Sequence, residues 1–193
     1  MGEFFDTVHG VDRLEHVKER DVYLNYSLKT ARYTFDCPLV TGAILAGAPE
    51  REVKRLAEFG LLIGQAFQIQ DDIIGIYETE KAIGKSILSD LKERKKTLLV
   101  VHAYQSLKGS QRAAFLKIFN KPRISQSDLE AVKKILIASG SLAYALKALK
   151  LRRDHAETIL GSLAMSSRYR TLVRQALFTL FDQSERIAER YGL

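Results

Sequence analysis

The stretch that says most about the fold runs from Phe67 to Thr97 and reads FQIQDDIIGIYETEKAIGKSILSDLKERKKT. Its first part is an apolar helical pattern that carries two adjacent aspartates, Asp71 and Asp72. A Gly-Lys pair and then a basic cluster follow. Carboxylates can hold a divalent ion, and lysines can hold phosphate groups. The segment therefore contains the parts of a diphosphate site on one long helix and the chain that follows it.

Small and polar residues form one stripe along this helix, which the sequence predicts over residues 50–77. Residues three and four apart lie on the same face of a helix. A carboxylate pair among apolar neighbours is costly to bury without compensation, whereas Mg²⁺ accepts oxygen ligands and is usually completed by substrate phosphates. The alternative is a solvated carboxylate pair on a helix surface. The stripe consists of Gly64, Gln68, Asp71, Asp72 and Gly75.

Cations follow the aspartates at two places. Gly84-Lys85 lies in a predicted loop over residues 78–90, and Lys95-Lys96 stands at the start of the next predicted helix. A helix N-terminus is itself a favourable site for an anion. Each lysine alone could equally be a solvated surface residue. Together with the aspartate pair, they favour a phosphate site.

A second helix, predicted over residues 21–46, repeats this logic. Tyr26, Lys29, Thr30 and Tyr33 stand at positions i, i+3, i+4 and i+7. One face of the helix would thus present a cation, a hydroxyl group and two aromatic rings. Aromatic faces stabilise nearby positive charge. The alternative is an ordinary amphipathic face of mixed composition.

The remaining sequence predicts an all-α protein. Apolar positions recur at helical spacing, and no stretch alternates as a strand does. Pro38 is expected to kink or interrupt the helix in which it lies. The polar sequence of residues 12–20 indicates a turn or a short helix. Further helices are predicted over residues 94–107, 110–119, 127–138, 141–164 and 168–190.

Composition narrows the class of protein. The 193 residues suffice for one domain, and 30 basic against 23 acidic residues give a net charge of +7. That charge favours polyanions, but no RNA-binding aromatic motif, zinc-finger spacing or arginine-rich run is present, so we expect no nucleic-acid partner. The lone Cys37 cannot form an intrachain disulfide, which favours the cytoplasm. No apolar window is long enough for a transmembrane segment.

Three blocks carry a resemblance to a known family. The blocks are SLKTARYTFDCPLVTGAILAG, FQIQDDIIG and GKSILSDLKERKKTLLV, at residues 27–47, 67–75 and 84–100. They resemble the Lys-Thr helix, the second aspartate-rich motif and the following lysine-bearing segment of the trans-isoprenyl diphosphate synthases. They occur in that family's order, and GEFFD at residues 2–6 is similar to the helix before them. The resemblance covers most of residues 2–105 and is nearest to geranylgeranyl-type synthases.

The resemblance implies a helical bundle around a central cavity and a prenyltransferase activity. The family condenses an allylic diphosphate with isopentenyl diphosphate, with Mg²⁺ bridging aspartates and the allylic diphosphate, and a homodimer is expected. Asp71 and Asp72 would be the metal ligands. The residues expected to bind substrate or assist catalysis are Lys29, Thr30, Tyr33, Phe67, Gln68, Lys85 and Lys95.

The chain also departs from the family's pattern. Gly75 replaces the third aspartate of the motif, as in a subset of archaeal-type synthases, and Arg94 stands where glycine is common. Residues 1–193 contain no counterpart of the family's first aspartate-rich motif and lack most isopentenyl diphosphate contacts. We therefore expect one partial synthase domain without the N-terminal helices, inactive alone. The alternatives are a non-catalytic or split-enzyme partner subunit of a complete synthase, or an unrelated helical interaction module.

Overall fold

The computed structural model of the protein describes residues 13–78 and 89–193. Within these two ranges there is no β-strand, which confirms the all-α prediction. A short 3₁₀ helix, Leu14–His16, comes first. The α-helices are α1 Glu19–Tyr26, α2 Cys37–Leu45, α3 Glu50–Tyr77, α4 Ser89–Lys92, α5 Leu98–Ser106, α6 Gly109–Phe119, α7 Gln126–Ala138, α8 Ser141–Ser162 and α9 Ser167–Arg190.

Helix α3 is the centre of the bundle. It covers the predicted range 50–77, begins directly after Pro49 and ends where Glu78 becomes extended. Its most extensive neighbours are α8 and the helical segment that precedes α2. The isoleucines Ile63, Ile69 and Ile73 are almost fully buried between these elements. Burying a side chain of this size stabilises a fold by about 1.5–3 kcal/mol.

The first long helix is continuous but changes its hydrogen-bonding pattern. Residues Ser27–Asp36, here called the π segment, form a π-helix between α1 and α2. The backbone stays helical at Asp36 and Cys37, so the expected interruption at Pro38 does not occur. Pro38 instead lies in the first turn of α2, where a missing N–H is tolerated. Long π-helices are rare, and short ones often lie at functional sites.

The prediction for α5 was wrong at its start. Helix α5 begins at Leu98 rather than at residue 94. Arg94 has a positive φ of 52°, which a right-handed helix cannot contain. Thr97 then caps α5, because its side-chain oxygen accepts a hydrogen bond from the main-chain N–H of Val100 at 3.4 Å. The position where the resembled family commonly has glycine is thus a left-handed turn.

The later helices lie within two residues of their predicted bounds. Ser125 and Asp128 form a reciprocal capping box at the start of α7, with the Ser125 N–H donating to the Asp128 carboxylate at 3.0 Å. None of the helices in residues 13–78 and 89–193 has the length and apolar content needed to cross a membrane. The expected features at residues 2–6 and 84–85 lie outside the described residues.

Candidate active site

A line of hydrogen bonds joins the end of α1, the π segment, α3 and α5. The main-chain N–H of Leu98 donates to the Tyr26 hydroxyl at 2.9 Å, and that hydroxyl donates to Asp72 Oδ2. The Gln68 amide nitrogen donates to Asp72 Oδ1 at 3.2 Å. Finally, the Thr30 hydroxyl donates to Gln68 Oε1 at 2.5 Å. We call Thr30, Gln68, Asp72 and Tyr26 the polar relay.

The direction of each bond in the polar relay follows from the carboxylate at its centre. An ionised carboxylate only accepts hydrogen bonds, so the Gln68 amide must turn its nitrogen toward Asp72. The amide oxygen of Gln68 then faces Thr30, whose hydroxyl proton is used in that bond. The lone pairs of the Thr30 oxygen therefore remain as acceptors. The Thr30 hydroxyl can therefore point the negative end of its dipole toward a cation.

The hydroxyl of Tyr26 stays protonated in this setting. The side chain is buried, and burial followed by the negative charge of Asp72 raises the pKa of Tyr26 well above its ordinary value. A protonated hydroxyl can donate to Asp72 and accept from Leu98 at the same time. Both ends of this buried group are thus satisfied, as buried polar groups generally are.

Adjacent on α3, Asp71 and Asp72 have different surroundings. Asp72 is 4% exposed and lies within the polar relay, whereas Asp71 is exposed. Gly64 and Gln68 contact the π segment, Asp72 contacts Tyr26 at the end of α1, and Asp71 lines a groove between α3 and α9. The five positions of the predicted stripe fall within an arc of about 100° on α3, with Asp71 and Asp72 at its two edges.

Asp71 lies at an open groove between α3 and α9. The groove has a volume of about 740 Å³ and is mainly apolar in lining. Gln70, buried beneath it, donates to the main-chain oxygen of Leu180 at 2.7 Å and accepts from the N–H of Ser184 at 3.3 Å. This amide fastens α9 to α3. The other lining residues are Phe67, Ile74, Ala176, Thr179, Asp182 and Gln183.

The remaining predicted site residues lie at different depths. Lys29 is half-buried in the π segment beside Thr30, whereas Tyr33 is 82% exposed and lies outside the polar relay. Phe67 is half-buried, and its ring packs against Phe35 at 5.5 Å between centroids. Lys95 precedes α5 and pairs with Glu93 at 3.3 Å. Lys85 lies outside the described residues.

A second polar group, which the sequence did not predict, supports the π segment. The Gln65 amide donates to the Ser27 hydroxyl at 2.8 Å and accepts from Arg152 Nε at 3.0 Å. The Arg152 guanidinium also lies over the Tyr23 ring, 4.0 Å from its centroid. These residues are up to 129 positions apart in the chain, counting from Tyr23 to Arg152, so no local signal in the sequence indicates the group.

The carboxylates of Asp71 and Asp72 fit a magnesium ion whose remaining ligands come from a substrate. No three His, Cys, Asp or Glu side chains in the described part of the chain are grouped to hold a metal by themselves. Asp71 is the accessible carboxylate, while Asp72 already accepts hydrogen bonds from Tyr26 and Gln68. Mg²⁺ commonly uses one or two carboxylates together with water and substrate phosphates. Such a site would rest mainly on Asp71.

Comparison with known proteins gives the class to which this fold and site belong. The family model described as polyprenyl synthetase matches residues 1–136, so the chain belongs to the polyprenyl synthetase family. Geranylgeranyl diphosphate synthase of Sulfolobus acidocaldarius is 37% identical over 134 residues. That match covers 69% of this chain and 40% of the relative. The match therefore spans well under half of that relative's length.

Solved structures show the same fold. A crystal structure of a geranylgeranyl pyrophosphate synthase superposes with a TM-score of 0.85 at 22% identity, covering 94% of this chain and 56% of that one. A second, from Corynebacterium glutamicum, contains isoprenyl diphosphate and magnesium. It superposes with a TM-score of 0.81 at 23% identity, covering 93% of this chain and 50% of that one. The all-helical isoprenyl synthase fold is thus shown for the described residues.

Proposed function

We propose that this chain supplies the second-aspartate side of a trans-prenyltransferase site, which elongates an allylic diphosphate with isopentenyl diphosphate. The polar relay is the observation that carries this proposal. It fixes Thr30, Gln68 and Asp72 in one hydrogen-bonded line, and Asp71, the neighbour of Asp72 in sequence, lies at an apolar groove. Family membership supports the same reaction class.

The leaving diphosphate is the first group that such a site must bind. Asp71 would hold Mg²⁺, which when bound neutralises the charge on the leaving diphosphate. Lys29 and Lys95 would contribute further positive charge, with Lys85 as a third predicted contact. Lysines act toward phosphate as point charges. The magnesium-containing relative from C. glutamicum supports the choice of metal.

The carbon from which diphosphate departs becomes positively charged. Thr30 would face this carbon with its lone pairs, because its proton is already donated to Gln68. Dipoles that are fixed before the charge develops need no reorganisation during the reaction. The amide of Gln68 is itself oriented by Asp72, so the whole polar relay serves this purpose.

The groove between α3 and α9 would receive the hydrocarbon part of the substrate. Its lining is mainly apolar, with Phe67, Ile74 and Leu180 beside Asp71. An isoprenyl chain removed from water there gains about 25 cal/mol for each Å² of buried apolar surface. The diphosphate would remain at the Asp71 end, where the charges are.

Assembly and location are part of the proposal. Ile44 and Leu45 at the end of α2 are 59% and 83% exposed, and exposed apolar residues of this size favour association. A homodimer would cover them, and light scattering at tens of micromolar tests this. The single cysteine, Cys37, is a free and exposed thiol, which is consistent with the cytoplasm.

Calorimetry with a non-reactive allylic thiolodiphosphate, with and without Mg²⁺, tests the site. We expect weak, magnesium-dependent binding that becomes at least about tenfold weaker in Asp71→Asn. Asp154→Asn is the control, because Asp154 is an exposed aspartate on α8 that belongs neither to the groove lining nor to the polar relay. Binding that does not need Mg²⁺, or that Asp71→Asn leaves unchanged, contradicts the assignment.

A partner subunit is the second candidate function, favoured because no three His, Cys, Asp or Glu side chains among the described residues are grouped to hold a metal. Such a subunit would bind the allylic diphosphate but would elongate it only with a chain that supplies the other aspartate-rich motif. Incubation with radiolabelled isopentenyl diphosphate and an allylic primer separates the two. Prenyl product from the 193-residue chain alone excludes the partner-subunit function.

A further inference from the structure

We propose that Tyr26 is a positioning residue for this site: its hydroxyl ties the Asp72 carboxylate to the first residue of α5. The inference rests on the proposed function for its chemical purpose, but the geometry stands by itself. Tyr26 is 4% exposed, donates to Asp72 and accepts from the N–H of Leu98 at 2.9 Å. None of the three blocks that resemble the family includes Tyr26.

The bond to Leu98 connects two regions of opposite charge. Leu98 is the first residue of α5, and Lys95, Lys96 and Thr97 directly precede it. The first N–H groups of a helix have no partner within that helix, so the Tyr26 hydroxyl caps α5 from a different element. One oxygen atom thus fixes the distance between the aspartates on α3 and the lysines before α5.

The bond to Asp72 controls the rest of the polar relay. Asp72 orients the Gln68 amide, and that amide orients the Thr30 hydroxyl. Without the Tyr26 hydroxyl, the Asp72 carboxylate loses a buried donor and can rotate toward solvent. Gln68 then loses the charge that fixes its amide orientation. Tyr26 would therefore affect Thr30 without contacting it.

Tyr77 provides a matched control, because it is also buried but uses its hydroxyl differently. Tyr77 is 3% exposed, and its hydroxyl has no hydrogen-bond partner among the described residues. Tyr26→Phe and Tyr77→Phe therefore each remove one buried hydroxyl from α1 or α3. Only Tyr26→Phe removes hydrogen bonds. Ile63→Val, in the core of α3, is a second control that lowers stability without touching a polar group.

Nuclear magnetic resonance tests the geometry on the full chain. In Tyr26→Phe, the Leu98 amide should exchange with solvent at least about tenfold faster, because it loses its acceptor. The side-chain amide signals of Gln68 should shift as well. Tyr77→Phe and Ile63→Val should change neither. Unchanged Leu98 exchange and Gln68 signals in Tyr26→Phe would overturn the proposal.

Calorimetry with inorganic pyrophosphate and Mg²⁺ tests the purpose of the geometry. We expect binding by Tyr26→Phe to be about tenfold weaker than by the unmodified chain, as for one lost charged hydrogen bond. Tyr77→Phe and Ile63→Val should bind as the unmodified chain does. Equal affinity in Tyr26→Phe overturns the positioning role. If the unmodified chain binds no pyrophosphate, the proposed function fails, while the Leu98 exchange rate still decides the role of Tyr26.

Discussion

Gly64 on α3 lies directly against Ala31 of the π segment. A Cβ atom on Gly64 would be 2.3 Å from the Ala31 Cα atom and 2.5 Å from its Cβ atom. One turn earlier, a Cβ on Gly60 would be 2.8 Å from the Cα atom of Asp36. The two helices therefore touch through their backbones. This close approach is what lets Gln68 on α3 reach Thr30 in the π segment.

Replacing Gly64 with alanine should force α3 and the π segment apart. Because the new methyl group meets backbone atoms rather than a flexible side chain, we expect a loss of at least about 2–3 kcal/mol in the free energy of unfolding. Gly161→Ala is the control, since a Cβ there meets nothing within 4 Å and alanine favours a helix. Urea unfolding of both variants measures the difference. A neutral Gly64→Ala variant would contradict the contact.

Arg94 should tolerate glycine better than any β-branched residue. Its φ of 52° lies in the left-handed region, which costs about 1–3 kcal/mol for residues other than glycine. We expect the free energy of unfolding of Arg94→Gly to lie within about 1 kcal/mol of that of the unmodified chain. Glycine relieves the backbone strain in the folded state, but it also makes the unfolded chain more flexible. Arg94→Val should be less stable than both. Thermal unfolding of the three proteins checks this order.

Gln70 should be important for the attachment of α9. Replacing Gln70 with leucine removes a buried amide and its two hydrogen bonds to α9, at Leu180 and Ser184, which should cost about 1–3 kcal/mol. Exchange of the Ser184 amide should become faster. Gln175→Leu, on the exposed side of α9, is the control and should stay within about 0.5 kcal/mol. Similar stability of the two variants would show that the Gln70 amide does not fasten α9.

Asp128 should make stability depend on pH under acidic conditions. Hydrogen bonds from Lys121 and Ser125 lower the pKa of Asp128 from 3.8 to about 2. The folded state thus favours the ionised form, so this contribution is fully present well above pH 3.8 and is lost as the pH falls toward 2. Urea midpoints of Asp128→Asn between these pH values should fall less steeply. Lys121→Met should raise the pKa of Asp128 in a direct titration, and no change would contradict the ion pair.

Much of the architecture could be predicted from local patterns. Helix α3 has its predicted bounds because Pro49 begins it and its apolar positions repeat at helical spacing throughout. The aspartates, lysines and Lys-Thr pair were found from residue types and spacing. The start of α5 was predicted incorrectly, and the helix is not interrupted at Pro38. Both depend on the backbone conformation at Arg94 and in the π segment, which residue types do not specify.

The sequence by itself determined the helical class, the family and the identity of the charged groups, because these depend on residue type and near-neighbour spacing. Only the tertiary structure decided which aspartate faces which surroundings. Asp72 accepts a hydrogen bond from Tyr26, which lies 46 positions earlier in the chain. Asp71 lines a groove together with residues of α9, which lie more than 100 positions later. These contacts depend on how closely α3 packs against its neighbours, which Gly64 and Ala31 set through their backbones. Packing distance is a property of both helices together, so neither segment alone encodes it.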